Sequence, residues 1–192
     1  DGIGLFASPF KSETLRLDLG VQYEFGRNED DNDALKGLGD LEGGATGVVR
    51  LGYEIGDIGL GLEVTRDISG DRDGLAVTAE AEYGIGLFSG RGWLSVSPHL
   101  TWADDAYMDN TFGITTAQAR RSARGYAPYD AEAGFKDAGI AVGLSYQITD
   151  SIQAVGQVDY GRLLGDAADS PLVGREGSAD QVTGLLGVSY SW

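Results

Sequence analysis

Ser97 and His99 are the residues whose types and spacing come closest to chemistry, since a serine hydroxyl beside an imidazole is a nucleophile beside its base. His99 is the single histidine of the chain. It alternates with Ser95, Ser97 and Thr101, so on a β-strand all four side chains share a face and Ser97 and His99 are neighbours along it. Nucleophilic catalysis also needs a third group to orient the base and an oxyanion hole. Adjacency on one strand supplies neither. A polar ladder along one face of a sheet is the simpler reading, and no enzymatic role is expected.

Carboxylates are the second candidate. Asp30, Asp31 and Asp33, then Asp71 and Asp73, Asp104 and Asp105, and Asp166 and Asp169 all fall at loops or strand ends. Clustered carboxylate oxygens can hold Ca²⁺ or Mg²⁺, which here would bridge the loops to lipopolysaccharide phosphates. EF-hand spacing is lacking, so solvated acidic loops are preferred and neither a metal nor a cofactor is expected. Asp71-Arg72-Asp73-Gly74 reads equally well as a hairpin turn. Gly37-x-Gly39 and Gly84-x-Gly86 are not phosphate loops, because no GK[ST] follows either pair.

Composition narrows the classes further. The 192 residues carry 30 Asp and Glu against 14 Lys and Arg, a net charge of −16 that would repel a phosphate backbone and excludes nucleic acid as a partner. With no cysteine, disulfide and thiolate chemistry are excluded. Thirty-one glycines against four prolines favour many turns and curved strands. No Pro/Ser linker divides the chain, so one domain over residues 1–192 is expected. No charged-then-apolar leader stands at Asp1, which reads as a mature form or a fragment. No run of twenty apolar residues exists, which excludes a transmembrane helix but leaves a membrane barrel open, because barrel strands are only half apolar.

The elements that must position these residues are strands. Period-two alternation places Leu15, Leu17, Leu19, Val21, Tyr23 and Phe25 on one face, with Arg16, Asp18, Gln22 and Glu24 opposite. It recurs at Val49 to Ile55, Ile58 to Val64, Leu75 to Leu87, Leu94 to Trp102, Ile140 to Ile148, Ile152 to Tyr160 and Val182 to Trp192. Gly2 to Ala7 forms a further short strand before a turn through Ser8 to Ser12. Pro98 lacks an amide donor and must sit at a bulge or a weak ladder position. In the terminal strand only Leu185 breaks the pattern, and Gly187-x-x-Tyr190-x-Trp192 resembles the C-terminal signal of bacterial outer-membrane barrels.

Two regularities favour a membrane barrel over a soluble sandwich. None of the alternating apolar positions carries a charge, as expected where a lipid-facing Arg or Lys near midplane costs about 2–4 kcal/mol. Connections also alternate in length: short at Gly56-Asp57, Ser89 to Gly92 and Thr149 to Ser151, long at Arg27 to Ala45, Ala103 to Phe135 and Leu163 to Ala179. Short periplasmic turns and long extracellular loops give that asymmetry. The expected fold is all-β, an antiparallel up-and-down transmembrane barrel with at least eight strands here and ten to twelve in the native protein. Its lipid-facing aromatic girdle is Tyr23, Tyr53, Trp102, Tyr146, Tyr160, Tyr190 and Trp192. Its lumen holds Arg16, Arg50, Glu54, Glu80, Glu82, His99 and Asp159, an acidic lining that suits a cation-preferring pore or a plugged, hydrogen-bonded interior. The stretch Ala103 to Phe135, with a helical turn near Ala117 to Ala123, is long enough to be that plug.

Four loop segments carry a family resemblance. They are Tyr23 to Asp40, Thr101-Trp-Ala-Asp-Asp-Ala-Tyr-Met108, Thr111-Phe-Gly-Ile-Thr115 and Gly161-Arg-Leu-Leu-Gly-Asp-Ala-Ala-Asp-Ser-Pro171, with Asp104, Asp105, Asp166 and Asp169 inside them. Over nearly its whole length the chain resembles the MipA/OmpV family of Gram-negative outer-membrane proteins, MipA standing for MltA-interacting protein. It departs from that pattern at Arg121-Ser122-Ala123-Arg124-Gly125, where members tend to be more apolar, and lacks the N-terminal part that supplies further strands. The resemblance implies a non-enzymatic scaffold that brings a lytic transglycosylase and a penicillin-binding synthase together for murein growth, held among outer-membrane lipid and lipopolysaccharide. The alternative is a small pore or a surface adhesin.

Overall fold

The computed structural model describes residues 2–70 and 73–191. Nine strands form one antiparallel sheet in sequence order, each bonded to the next, and the sheet curls into a half-barrel. They are β1 (Gly2–Lys11), β2 (Leu15–Glu24), β3 (Gly44–Ile55), β4 (Ile58–Asp67), β5 (Leu75–Leu87), β6 (Gly92–Ala103), β7 (Gly134–Gln147), β8 (Ile152–Leu163) and β9 (Asp180–Tyr190). Four short helices occupy two of the long connections: α1 (Asp105–Phe112), α2 (Thr116–Arg121), α3 (Gly165–Asp169) and α4 (Pro171–Glu176). None of these helices is long and apolar enough to cross a membrane. The strands, at 10 to 14 residues, are long enough to do so when tilted.

Register turns the alternation into two chemically distinct faces. Leu17, Leu51, Leu62, Ala79 and Leu100 line up across β2 to β6, and the adjacent row is Asp18, Arg50, Glu63, Thr78 and Thr101. A slip of one residue anywhere would mix the rows, which is why patterning fixes the pairing so firmly. Burial is the inverse of a water-soluble sheet. In β2 the apolar Leu19, Val21 and Tyr23 are about half exposed while the carboxylate of Asp18 is buried, and large exposed hydrophobic side chains recur on every strand. Apolar surface on this scale needs a covering other than water.

Irregularities sit where the sequence demands them. β1 runs on to Lys11 rather than ending at Ala7, because a bulge at Ser8-Pro9 absorbs the proline on an edge strand where its missing donor breaks no ladder. The β5–β6 ladder passes from Glu80–His99 to Tyr83–Val96, leaving a gap opposite Pro98, which pairs with Ile140 on its other side. Gly56, at φ +60°, makes the two-residue turn between β3 and β4. β1 and β9 run in the same direction and are not paired with each other. Closure through antiparallel neighbours therefore takes an odd number of strands between them.

The apolar core lies at the long-loop end. Met108 and Phe112 of α1, Ala131 and Ala167 pack on Ala76, Ala103 and Leu163, the last inward residues of β5, β6 and β8. A second cluster joins Leu38, Ile114 and Tyr126, flanked by Leu35, Ala119 and Leu172. Three connections, 25–43, 104–133 and 164–179, thus fold together into a cap over one end of the sheet.

Candidate functional site

Three surfaces bear on function: the apolar outer face, the polar inner face and the cap. On the outer face Tyr23, Trp102 and Tyr160 lie toward the long-loop ends of their strands, and Tyr53, Tyr146 and Tyr190 toward the short-turn ends, with Leu, Val and Ile between. Trp192, the seventh expected girdle residue, lies outside the described residues. Charges on this face stay at the long-loop margin. There Arg162 donates to both carboxylate oxygens of Asp180 at 2.8 and 2.9 Å, and the Tyr160 hydroxyl donates to the same carboxylate at 2.6 Å.

The inner face carries the expected polar residues in one continuous field. Arg16 donates to Asp18 at 2.9 Å, and Ser8 donates to the same carboxylate. Arg50 pairs with Glu63 and lies 4.3 Å above the Phe6 ring. Glu80 stands opposite His99 across the β5–β6 ladder, and Glu82 accepts from Ser97 at 3.4 Å. The His99 ring faces Asp159 from Nδ1 at 3.6 Å and Asp137 from Nε2 at 3.9 Å. Ser97 and His99 are therefore each engaged by carboxylates, and no hydrogen bond joins them among the described residues. Gly139 makes room for the imidazole, since a Cβ there would meet Cε1 at 2.5 Å and Nε2 at 2.6 Å. Glu54 is exposed near the short turns. A hollow of about 420 Å³ lies among Arg16, Asp18, Arg50, Glu63, Thr78 and Glu80, floored by the paired Gly52 and Gly61.

Two inner-face aromatic residues escaped the sequence reading. Phe6 lies over Gly20 and Trp93 over Gly84, each ring filling the space that the glycine's absent side chain leaves. The available signal was an aromatic residue at a polar-face position paired with or beside glycine, a packing device in sheets. Leu185, which breaks the alternation of β9, faces inward opposite Gln157 and stays 59% exposed.

In the cap the acidic residues act chiefly as staples. Asp104 caps α1 by accepting from the Tyr107 amide at 2.9 Å. Asp105 accepts from the Ala133 amide at 2.6 Å and Asp166 from the Glu132 amide at 2.9 Å, so both tie remote segments together. Asp31 closes the turn at Asn28, and Asp33 pairs with Lys36 at 2.6 Å. Asp30 and Asp169 are exposed. Among the described residues no group of three or more His, Asp or Glu is placed to hold a metal ion. Ser170, fully buried, donates to the Phe112 carbonyl at 2.7 Å and caps α4. The Tyr129 hydroxyl donates to the Asp166 carbonyl at 2.8 Å, and Gln118 to the Leu38 carbonyl at 2.7 Å. The connection 104–133 does fold inward at its base, on Ala76 and Ala103.

At the opposite end the short turns are braced. Arg91 donates to the carbonyls of Gln147 and Ile148 at 3.0 Å each, with its guanidinium 5.4 Å from the Tyr146 ring. An apolar outside, a polar inside and a capped end define a β-barrel wall of the membrane type. The family model for MltA-interacting protein MipA matches residues 1–192, and the chain belongs to that family. No curated protein matches it.

Proposed function

We propose that this chain is the barrel wall of an outer-membrane scaffold that binds a murein hydrolase of the MltA type on its periplasmic side and brings it to a penicillin-binding synthase, without catalysis of its own. The observation that carries the reading is the whole-length match to a family named for an interaction with MltA. Outer-membrane residence is supported by the apolar outer face and by strands long enough to span. The non-enzymatic part is supported by the Ser97 hydroxyl, which donates to Glu82 and makes no hydrogen bond to His99 among the described residues, so the nucleophile and its base are not coupled even though Asp159 faces the imidazole.

The surface open to a periplasmic partner is the short-turn end. It comprises the turn after Lys11, Gly56-Asp57, 88–91 and 148–151, where Phe88 is 62% exposed. A specific interface buries about 800 Å² per partner, so several turns must act together. The direct test is retention of a lytic transglycosylase on the detergent-solubilised protein, with conductance in planar bilayers measured in parallel. Retention that is lost when the short turns are replaced by Gly-Ser supports the scaffold. Cation-preferring conductance without retention replaces it with the pore reading.

A further inference from the structure

In a chain with a net charge of −16, three arginines fall within the five residues 120–124, and α4 adds a fourth at Arg175. All four are exposed. The fold gathers the segments that bear them. Ala119 of α2 and Leu172 of α4 pack on the same cluster of Leu38, Ile114 and Tyr126. The Ala123 amide donates to the Lys36 carbonyl at 3.0 Å, and Gly37 abuts the backbone of Arg121. Arg124 reaches Glu176 at 3.6 Å. Arg120, Arg121 and Arg175 form no ion pair among the described residues.

A basic residue in the last turn of a helix offsets the exposed carbonyls there, and one per helix suffices for that. Of the four, Arg124 has Glu176 as an acidic partner, while Arg120, Arg121 and Arg175 have none among the described residues. Tyr126 adds a second observation: it is 3% exposed and its hydroxyl has no hydrogen-bond partner. Burial pushes that hydroxyl up, Glu176 adding to the effect and Arg124 and Arg175 opposing it, which places the tyrosine within electrostatic reach of the arginines.

We propose that Arg120, Arg121, Arg124 and Arg175 form a phosphate-binding surface on the cap for the phosphorylated glycolipid of the leaflet into which the long loops emerge. Guanidinium groups match phosphate oxygens in paired hydrogen bonds, and a cluster of them at a membrane surface is drawn to anionic headgroups. Lipid rather than free phosphate fits the position, because the cap rises from the strand ends bearing Tyr23, Trp102 and Tyr160, where hydrocarbon gives way to headgroups. The contact is direct, in contrast to a divalent bridge through the acidic loops. It rests on the outer-membrane reading for the direction in which the cap faces.

The test uses the full chain in phosphatidylcholine nanodiscs doped with diphosphorylated lipid A or its dephosphorylated form, with lipid retained after detergent exchange measured by mass spectrometry. The diphosphorylated lipid should be enriched around the wild-type protein, and raising NaCl from about 0.1 to 0.5 M should abolish the enrichment. Replacing all four arginines by serine should weaken it by about a thousandfold, while replacing all four by lysine should keep most of it. Equal retention of both lipids, or salt-insensitive retention by the wild type, overturns the proposal even if the serine variant fails to fold. Full displacement by inorganic phosphate assigns the surface to a soluble anion and also overturns it. Fractionation of cells tests outer-membrane residence separately, so a protein found elsewhere sinks that reading without altering the nanodisc result.

Discussion

The cap and the strand wall are built by one chain for two different solvents. In the cap, Met108, Ile114 and Ala167 are buried while Asp30, Asp169 and Arg175 face outward, as in any water-soluble domain. In the wall the order is inverted: Leu62, Leu144 and Leu186 face outward, and Asp18, Ser97 and Thr101 are buried. Propensity does not separate the two regions, since both draw on the same residue types. What separates them is which face the pattern sends outward, and that follows from the medium each region meets.

The largest expected effects come from charging the wall. Leu51→Arg and Leu144→Arg place a guanidinium in the apolar band at about 2–4 kcal/mol each, and should abolish heat-modifiable migration on cold gels. Gln157→Arg, on the opposite face, should migrate as wild type. Equal behaviour of the three would mean that the faces are assigned the wrong way round.

Cutting a hole in the cap should have a local effect instead. Met108→Ala removes a side chain that is 1% exposed and should cost on the order of 3 kcal/mol. The loss should appear as faster proteolysis at 104–133, with the heat-modifiable wall intact. Collapse of both together would show that cap and wall fold as one unit. Ser170→Ala should loosen the same region less, by about 1–2 kcal/mol, because it removes both a buried hydrogen bond to Phe112 and the cap of α4.

The smallest effect is a pH dependence confined to the cap. Burial pushes the Tyr126 and Tyr129 hydroxyls above their ordinary value of 10.0, so the folded cap holds these protons more tightly than the unfolded chain. Their contribution is complete below pH 10 and is lost as pH rises through the folded values. Amide exchange in 104–133 should accelerate above about pH 10, and Tyr126→Phe should blunt the change. Acceleration of equal size in β3 and β4 would contradict a cap-specific origin.

The wall was legible in the sequence because period two is a local property, readable from Leu15 to Phe25 without knowledge of the partner strand. Strand ends were less so. β3 begins at Gly44 rather than Val49, and β7 at Gly134 rather than Ile140, since the apolar Val48 is buried on the otherwise polar inward row and a bulge at Lys136 shifts the phase between Phe135 and Asp137. In the cap the turn near Ala117 to Ala123 was readable from composition and appears as α2, whereas α1, α3 and α4 are too short for a helical period to emerge. Their caps, Asp104 and Ser170-Pro171, were the available signals. The carboxylate partners of His99 come from β7 and β8, some forty and sixty residues downstream, and only the folded sheet brings them together.

The inverted wall is tested most directly along β3, and the absence of cysteine makes the experiment clean. Single cysteines from Val48 to Ile55, each carrying a nitroxide and reconstituted in bilayers, report collision with lipid-dissolved oxygen against a water-soluble nickel chelate. The account predicts period two, with positions 49, 51, 53 and 55 favouring oxygen and positions 48, 50, 52 and 54 favouring the chelate or neither. Uniform access to the chelate at all eight positions, or the opposite phase, would contradict it.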